Sequence, residues 1–154
     1  MTLWIGRRQT IGLGIESTRG TGVAPTYWLN CTDFTFRDMP VRVASEAGFG
    51  GIWGGDQAPK TLESSEGSFT FELSDQAFGA IMLATLGEVV TTGPTDTTAY
   101  THTFSLENTN QHKSLSIHTV DPIGGLIYKM GMVDSLEISV TPDSLVSCTV
   151  NMLA

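Results

Sequence analysis

The residues of this 154-residue chain best suited to chemistry are two cysteines, three histidines and sixteen carboxylates, and no site emerges from their spacing. Cys31 and Cys148 stand far apart, and neither has a partner at the short intervals that zinc ligands keep. Both sit in strand-like contexts, where a thiol behaves as a small buried hydrophobe. His102 alternates with apolar residues as a half-exposed strand position does, and no second histidine or carboxylate is placed to close a metal site with His118. Glu63, Glu66 and Glu72 fall at intervals typical of solvated strand positions, not of a paired acid and base. There is no Gly-x-Ser-x-Gly elbow, phosphate loop or His-Glu-x-x-His helix. Gly12-x-Gly14 opens like a dinucleotide fingerprint, but Ser17 holds the third glycine position and no strand-turn-helix unit surrounds it. The expectation is a non-enzymatic protein that needs no metal or organic cofactor.

The elements that would position such residues are mostly strands. From Gly67 onward Ser68, Thr70 and Glu72 alternate with Phe69, Phe71 and Leu73, and Leu62 extends the apolar side, so 61–73 is predicted as a half-buried strand. The period then changes to three and four through Phe78, Ile81, Met82 and Leu86. This predicts a helix over about 75–86, with Ser74 as cap, Asp75 favoured by the helix dipole and Gly87 as stop. Strands are also predicted over 25–36, with a bulge near Asp33, and over 100–106 and 114–120, read as partners. Residues 88–98 read as a polar linker. In 127–140 Gly131 is the expected kink, and Thr141-Pro-Asp-Ser144 leads tightly into 145–153, making these two runs the most secure hairpin. The predicted fold is mainly β, an antiparallel β-sandwich or barrel flanked by the one helix, which must find a sheet to cover.

A chain of this length can bury its own core and is predicted to be a single domain spanning 1–154. Hydrophobic residues at 40% and charged residues at only 16% exclude a disordered tail or a coiled coil. The net charge of −8 argues against tight nucleic-acid binding, yet suits a surface past which nucleic acid slides without sticking. No signal peptide or bilayer-spanning stretch is apparent, so the expected compartment is cytosol-like and Asn30-Cys31-Thr32 is a chance glycosylation match.

Two segments stand apart from the periodic elements. Residues 1–10 read as an N-terminal arm carrying Trp4, Ile5, Arg7 and Arg8. Residues 44–60 read as a long Gly-rich loop, preceded by Arg42 and carrying Phe49, Ile52 and Trp53 among its glycines. Large apolar side chains on an aperiodic loop seek a surface, so this loop is a candidate for docking onto another molecule, the alternative being that it folds back over the barrel end with Trp53 as its plug.

The order of the pieces resembles the tail tube (major tail) proteins of long-tailed bacteriophages and related phage-like particles. The resemblance rests on Ile15-Glu-Ser-Thr-Arg-Gly-Thr-Gly-Val-Ala-Pro25, the strand entering a helix at 67–87, Tyr100-Thr-His-Thr-Phe104, Ser114-Leu-Ser-Ile117 and the closing hairpin. It implies a structural virion protein, made in the host cytoplasm, that assembles into hexameric rings stacked as a tube, with Trp4, Ile5, Arg7, Arg8, Arg42, Phe49, Ile52 and Trp53 as the candidate ring interface. Tape-measure, tail-tip and terminator proteins are the implied partners, and DNA would pass through without specific binding. The competing reading is a monomeric β-sandwich binding module for carbohydrate or peptide, with Trp53, Trp28 and Tyr27 as its contact surface.

Overall fold

Two stretches of chain make the corners of the fold, because each changes partner part-way along. In order, the elements are β1 (Thr10–Ile15), β2 (Tyr27–Leu29), β3 (Cys31–Phe34), β4 (Arg37–Asp38), β5 (Val41–Arg42), β6 (Lys60–Leu62), β7 (Ser65–Glu72), α1 (Asp75–Leu86), β8 (Gly87–Thr92), β9 (Thr101–Leu106), β10 (Leu115–Val120), β11 (Gly125–Ser139) and β12 (Ser147–Leu153). They come from a computed structural model that describes residues 9–44, 58–94, 98–109, 112–122 and 124–154. At the first corner, β11 pairs with β10 up to Gly131 and with β12 from Met132 onward. At the second, β2 pairs with β1, and β3, only Asn30 later, pairs with β7. Strands that switch sheets in this way are how a sandwich turns its corners.

The result is a two-sheet antiparallel sandwich, β2-β1-β10-β11 facing β11-β12-β7-β3, with β4 also on β7. β2 and β3 are the two ends of the strand order, so Asn30 joins them covalently and no ladder closes a barrel. The corner in β11 has a local cause. Met130 takes a φ of 61°, and Gly131 lies so close to β10 that a Cβ there would stand 2.8 Å from the Leu115 carbonyl oxygen.

Alternating side chains from both sheets fill one core, in which Leu13, Phe69, Phe71, Leu115, Ile117, Cys148 and Val150 are all 0% exposed. Each large one contributes about 1.5–3 kcal/mol by leaving water. Helix α1 adds Ala77, Ile81 and Ala84 to the same core. The buried face is therefore an alanine face rotated from the expected one, with Phe78 and Met82 only half-buried. Alanines win because they bring the helix axis close to the sheets, and larger side chains flank the contact. Gly87 ends the helix with a φ of 96° as expected, whereas Ser74 occupies the cap position without a side-chain cap bond.

Several expected strands are revised. β1 lies where only a glycine-rich run is apparent, since Gly12 and Gly14 hide the alternation of Ile11 and Leu13. Leu62 belongs to the small β5–β6 hairpin and is 58% exposed, so the half-buried strand begins at Ser65. Residues 87–92 are strand, not linker, and β8 takes β9 as its partner; β10 instead lies between β1 and β11. The bulge near Asp33 and the β11–β12 hairpin stand as expected. Cys31 and Cys148 flank Phe71 on opposite sides. Two strand spacings of about 4.8 Å separate them, too far for a disulfide.

Candidate functional surface

The two sheets differ in what covers their outer faces. On β10, Leu115 and Ile117 enter the core while Ser114, Ser116 and His118 point outward, yet they too are buried. What covers them is the segment that follows β1. Glu16, 2% exposed, accepts the Gly20 amide (2.8 Å) and the Ser114 hydroxyl (2.7 Å) on Oε2. Its Oε1 accepts the Ser116 hydroxyl (2.8 Å) and the Met130 amide (2.9 Å). The Val23 amide donates to Ser116 Oγ at 3.1 Å, and His118 Nε2 donates to the Val23 carbonyl at 2.6 Å. Burial alone would raise the Glu16 carboxyl, but the Met130 amide, the two serine hydroxyls and the Gly20 amide together outweigh it and hold the group below its ordinary value. The Glu-Ser-Thr-Arg-Gly-Thr stretch is thus a structural clamp.

The second sheet has an open outer face. With Phe69, Phe71, Cys148 and Val150 pointing inward, the alternate residues of β3, β7, β12 and β11 form cross-strand rows outside. One row is Asp33, Thr70, Thr149 and Glu137; a second is Glu72, Ser147 and Ser139; a third is Thr35, Ser68, Asn151 and Ser135. Neighbouring side chains satisfy one another within it: Thr70 Oγ1 lies 3.0 Å from Thr149 Oγ1, Thr35 Oγ1 2.9 Å from Ser68 Oγ, and Asn151 Nδ2 donates to Ser135 Oγ at 2.7 Å. These rows carry hydroxyls, an amide and the exposed carboxylates Asp33, Glu72 and Glu137; the next row on the same face is Arg37, Glu66 and Leu153, in which Arg37 pairs with Glu66 at 3.3 Å. With Arg37 already paired to Glu66, the carboxylates leave the face net acidic, a surface that repels a polyanion.

Of the expected interface residues, Arg42 is exposed on β5, at the base of the hairpin that leads into the long loop. Trp4, Ile5, Arg7, Arg8, Phe49, Ile52 and Trp53 lie outside the described residues. Of the aromatic residues expected on a binding module, Tyr27 and Trp28 do not share a surface: Trp28 is 50% exposed beside Gly12 and Pro25, while Tyr27 packs against the core. Among the described residues no group of three or more His, Cys, Asp or Glu could hold a metal, and no helix is long and apolar enough to cross a membrane.

A model of the family described as phage tail tube protein matches residues 6–154. The chain belongs to that family. It is a structural tail tube protein, a component of the phage tail. None of the curated proteins matches it. Among solved structures it is similar to a chain of the SPP1 tail tube, determined by solid-state NMR and cryo-EM, with 11% identity over 98% of this chain and 75% of that one and a TM-score of 0.50. That likeness concerns the fold. It is also similar to a chain in the tail of an empty gene transfer agent particle refined with C6 symmetry, and to one in the native particle's virion. Each shares 16% identity over 99% of this chain and 94% of that one, with TM-scores of 0.49 and 0.48. The tail tube reading was available from the Glu16 segment and the element order; the acidic hydroxyl face was not, because it exists only once β3, β7, β12 and β11 lie side by side.

Proposed function

We propose that this tail tube protein, as one domain per subunit, forms hexameric rings that stack into the conduit for DNA, and that the outer face of the β11-β12-β7-β3 sheet lines the bore. The observation that carries the lumen assignment is the asymmetry between the sheets. One outer face is roofed by the segment held on Glu16, and the other presents rows of hydroxyls with carboxylates at Asp33, Glu72 and Glu137. A bore for a polyanion needs a surface that repels it, and on this face Arg37 is already paired with Glu66. The arm residues Trp4, Ile5, Arg7 and Arg8, together with Arg42 and the loop residues Phe49, Ile52 and Trp53, form the contacts between subunits in this reading. A tape-measure protein would fill the bore before ejection, and tail-tip and terminator proteins would close the ends.

The test is negative-stain microscopy and light scattering of the purified chain at rising concentration. Rings of six and stacked tubes are expected. A protein that stays monomeric at every concentration overturns the reading and favours a binding module.

A further inference from the structure

The two sheets part at one corner of the sandwich. On the first half of β11, Leu126 and Tyr128 point to the core side, since they pair with Thr119 and Ile117, and across the gap lies the Asp38–Ser65 pairing of β4 and β7. Between them runs a groove of about 490 Å³ lined by Asp38, Glu63, Ser64, Leu126, Tyr128 and Met130. Its floor is the last aromatic pair of the core, Phe36 and Tyr128, with ring centroids 4.8 Å apart and both residues buried. Its rim is open, with Leu126 57% and Met130 50% exposed. Apolar side chains left at the mouth of a core gain free energy from any cover that removes them from water.

The polar side of the groove is acidic. Asp38 accepts the Ser65 hydroxyl at 2.8 Å, and among the described residues no cation pairs with it. Its field reaches the groove floor, where burial first and the Asp38 charge second push the Tyr128 phenol up. Glu63 has Lys60 beside it, and Lys129 adjoins the groove but runs its side chain over Gly22.

Two segments outside the described residues carry large apolar side chains, 1–8 and 45–57. The second holds Glu46 and Asp56 and no cation, so the carboxylates of the groove repel it; the first joins Trp4 and Ile5 to Arg7 and Arg8. The first is also within reach. Thr10 pairs with Val120 and Val120 with Gly125, so β1 begins two strand spacings, about 10 Å, from the residue before Leu126. Extended chain from Ile5 to Thr10 spans up to about 17 Å.

We propose that residues 1–8 of the unassembled chain fold into this groove of the same copy, with Trp4 and Ile5 covering Leu126, Tyr128 and Met130 and with Arg7 and Arg8 paired to Asp38 and Glu63. In the ring reading above the same arm serves contacts between subunits, so the groove is its resting place before assembly; the inference rests on that reading only for what the arm does next.

Cross-linking with a short bifunctional maleimide tests this on the dilute monomer, so the result does not depend on whether rings form. Gly6→Cys is combined with Ser64→Cys in the groove or, as a control, with Asn30→Cys. Leu29 pairs with Ile11, so Asn30 lies beside Thr10, exposed and closer to the root of the arm than the groove is. Cross-links within one chain are expected to form at least about tenfold faster with Ser64→Cys than with Asn30→Cys, because docking raises the local concentration. Asp38→Lys with Glu63→Lys is expected to abolish that advantage. Adding Arg7→Glu and Arg8→Glu is expected to restore it, which also shows the charge-reversed groove to be folded. Equal rates at the two positions overturn the docking, as does an advantage that survives charge reversal in the groove. Cross-links that form only between chains assign the groove to a neighbour's arm and overturn its occupation by the same copy.

Discussion

Glu16 Oε1 accepts the backbone amide of Met130 at 2.9 Å across 114 positions of sequence, and this bond fastens the segment after β1 to the corner where β11 changes sheets. Met130 holds a φ of 61° there, a conformation that costs a non-glycine residue about 1–3 kcal/mol and persists only when its surroundings determine it. The carboxylate is one of those determinants.

Glu16→Gln is therefore expected to destabilise the monomer by about 1–3 kcal/mol, because an amide nitrogen replaces one acceptor oxygen among donors that cannot all turn away. The pH dependence has a definite sign. A carboxyl held below its unfolded value of 4.5 adds stability that is complete above that value and is lost as pH falls through the folded one. Urea titrations between about pH 3 and pH 7 should show the wild type losing this increment with acid and the variant lacking it. Equal slopes in both would remove Glu16 from the account.

Ile81 is 0% exposed between the helix and the sheets, so Ile81→Asp is expected to cost about 3 kcal/mol or more by burying an unpaired charge. Folding should fail before assembly does. Unchanged circular dichroism and melting would contradict the packing of α1.

At Gly67 a Cβ would stand 2.4 Å from the Phe36 Cα, a backbone atom that cannot move aside. Gly67→Ala should lower stability by about 1–3 kcal/mol, while Gly124→Ala, with nothing within 4 Å of its Cβ, should be near neutral. Denaturant midpoints of the two variants decide it.

Burial pushes the Cys31 thiol up to about 12, and Cys148 is raised by burial as well. Neither thiolate is populated near neutral pH, so a chromogenic disulfide reagent is expected to react with no thiol of the native chain and with both after denaturation. Rapid native labelling of Cys148 would mean that the core opens.

The bore assignment predicts the fate of a label on the open sheet face. Thr149→Cys carrying biotin should bind streptavidin as a monomer and lose that binding once rings stack. Streptavidin decorating the outside of tubes would reverse the orientation of the sheet. Separately, replacing Phe49, Ile52 and Trp53 by Ser should slow or abolish tube growth with the monomer's melting temperature nearly unchanged. A destabilised monomer that still polymerises would make the loop a plug of its own sandwich.

What the sequence determined by itself is the faces of its core strands. The period of two through Phe69 and Phe71, through Leu115 and Ile117, and through Cys148 and Val150 is a local property of a strand, and each of these side chains is in the core. The change to a period of three and four locates α1, and the tight turn after β11 makes that hairpin inevitable. Only the tertiary structure decided the partners. Thr101–Leu106 alternates equally well beside either neighbour, and it joins Gly87–Thr92 because β10 is already held between β1 and β11. The helix presents alanines because the closeness of two sheets, not the helix's own pattern, sets how large a side chain fits beneath it. Glu16 reads as one more solvated carboxylate until Ser114, Ser116 and Met130, each about a hundred positions away, converge on it. Such convergence has no local signature, because hydrogen bonds across that separation depend on where the strands cross and not on which residues adjoin in the chain.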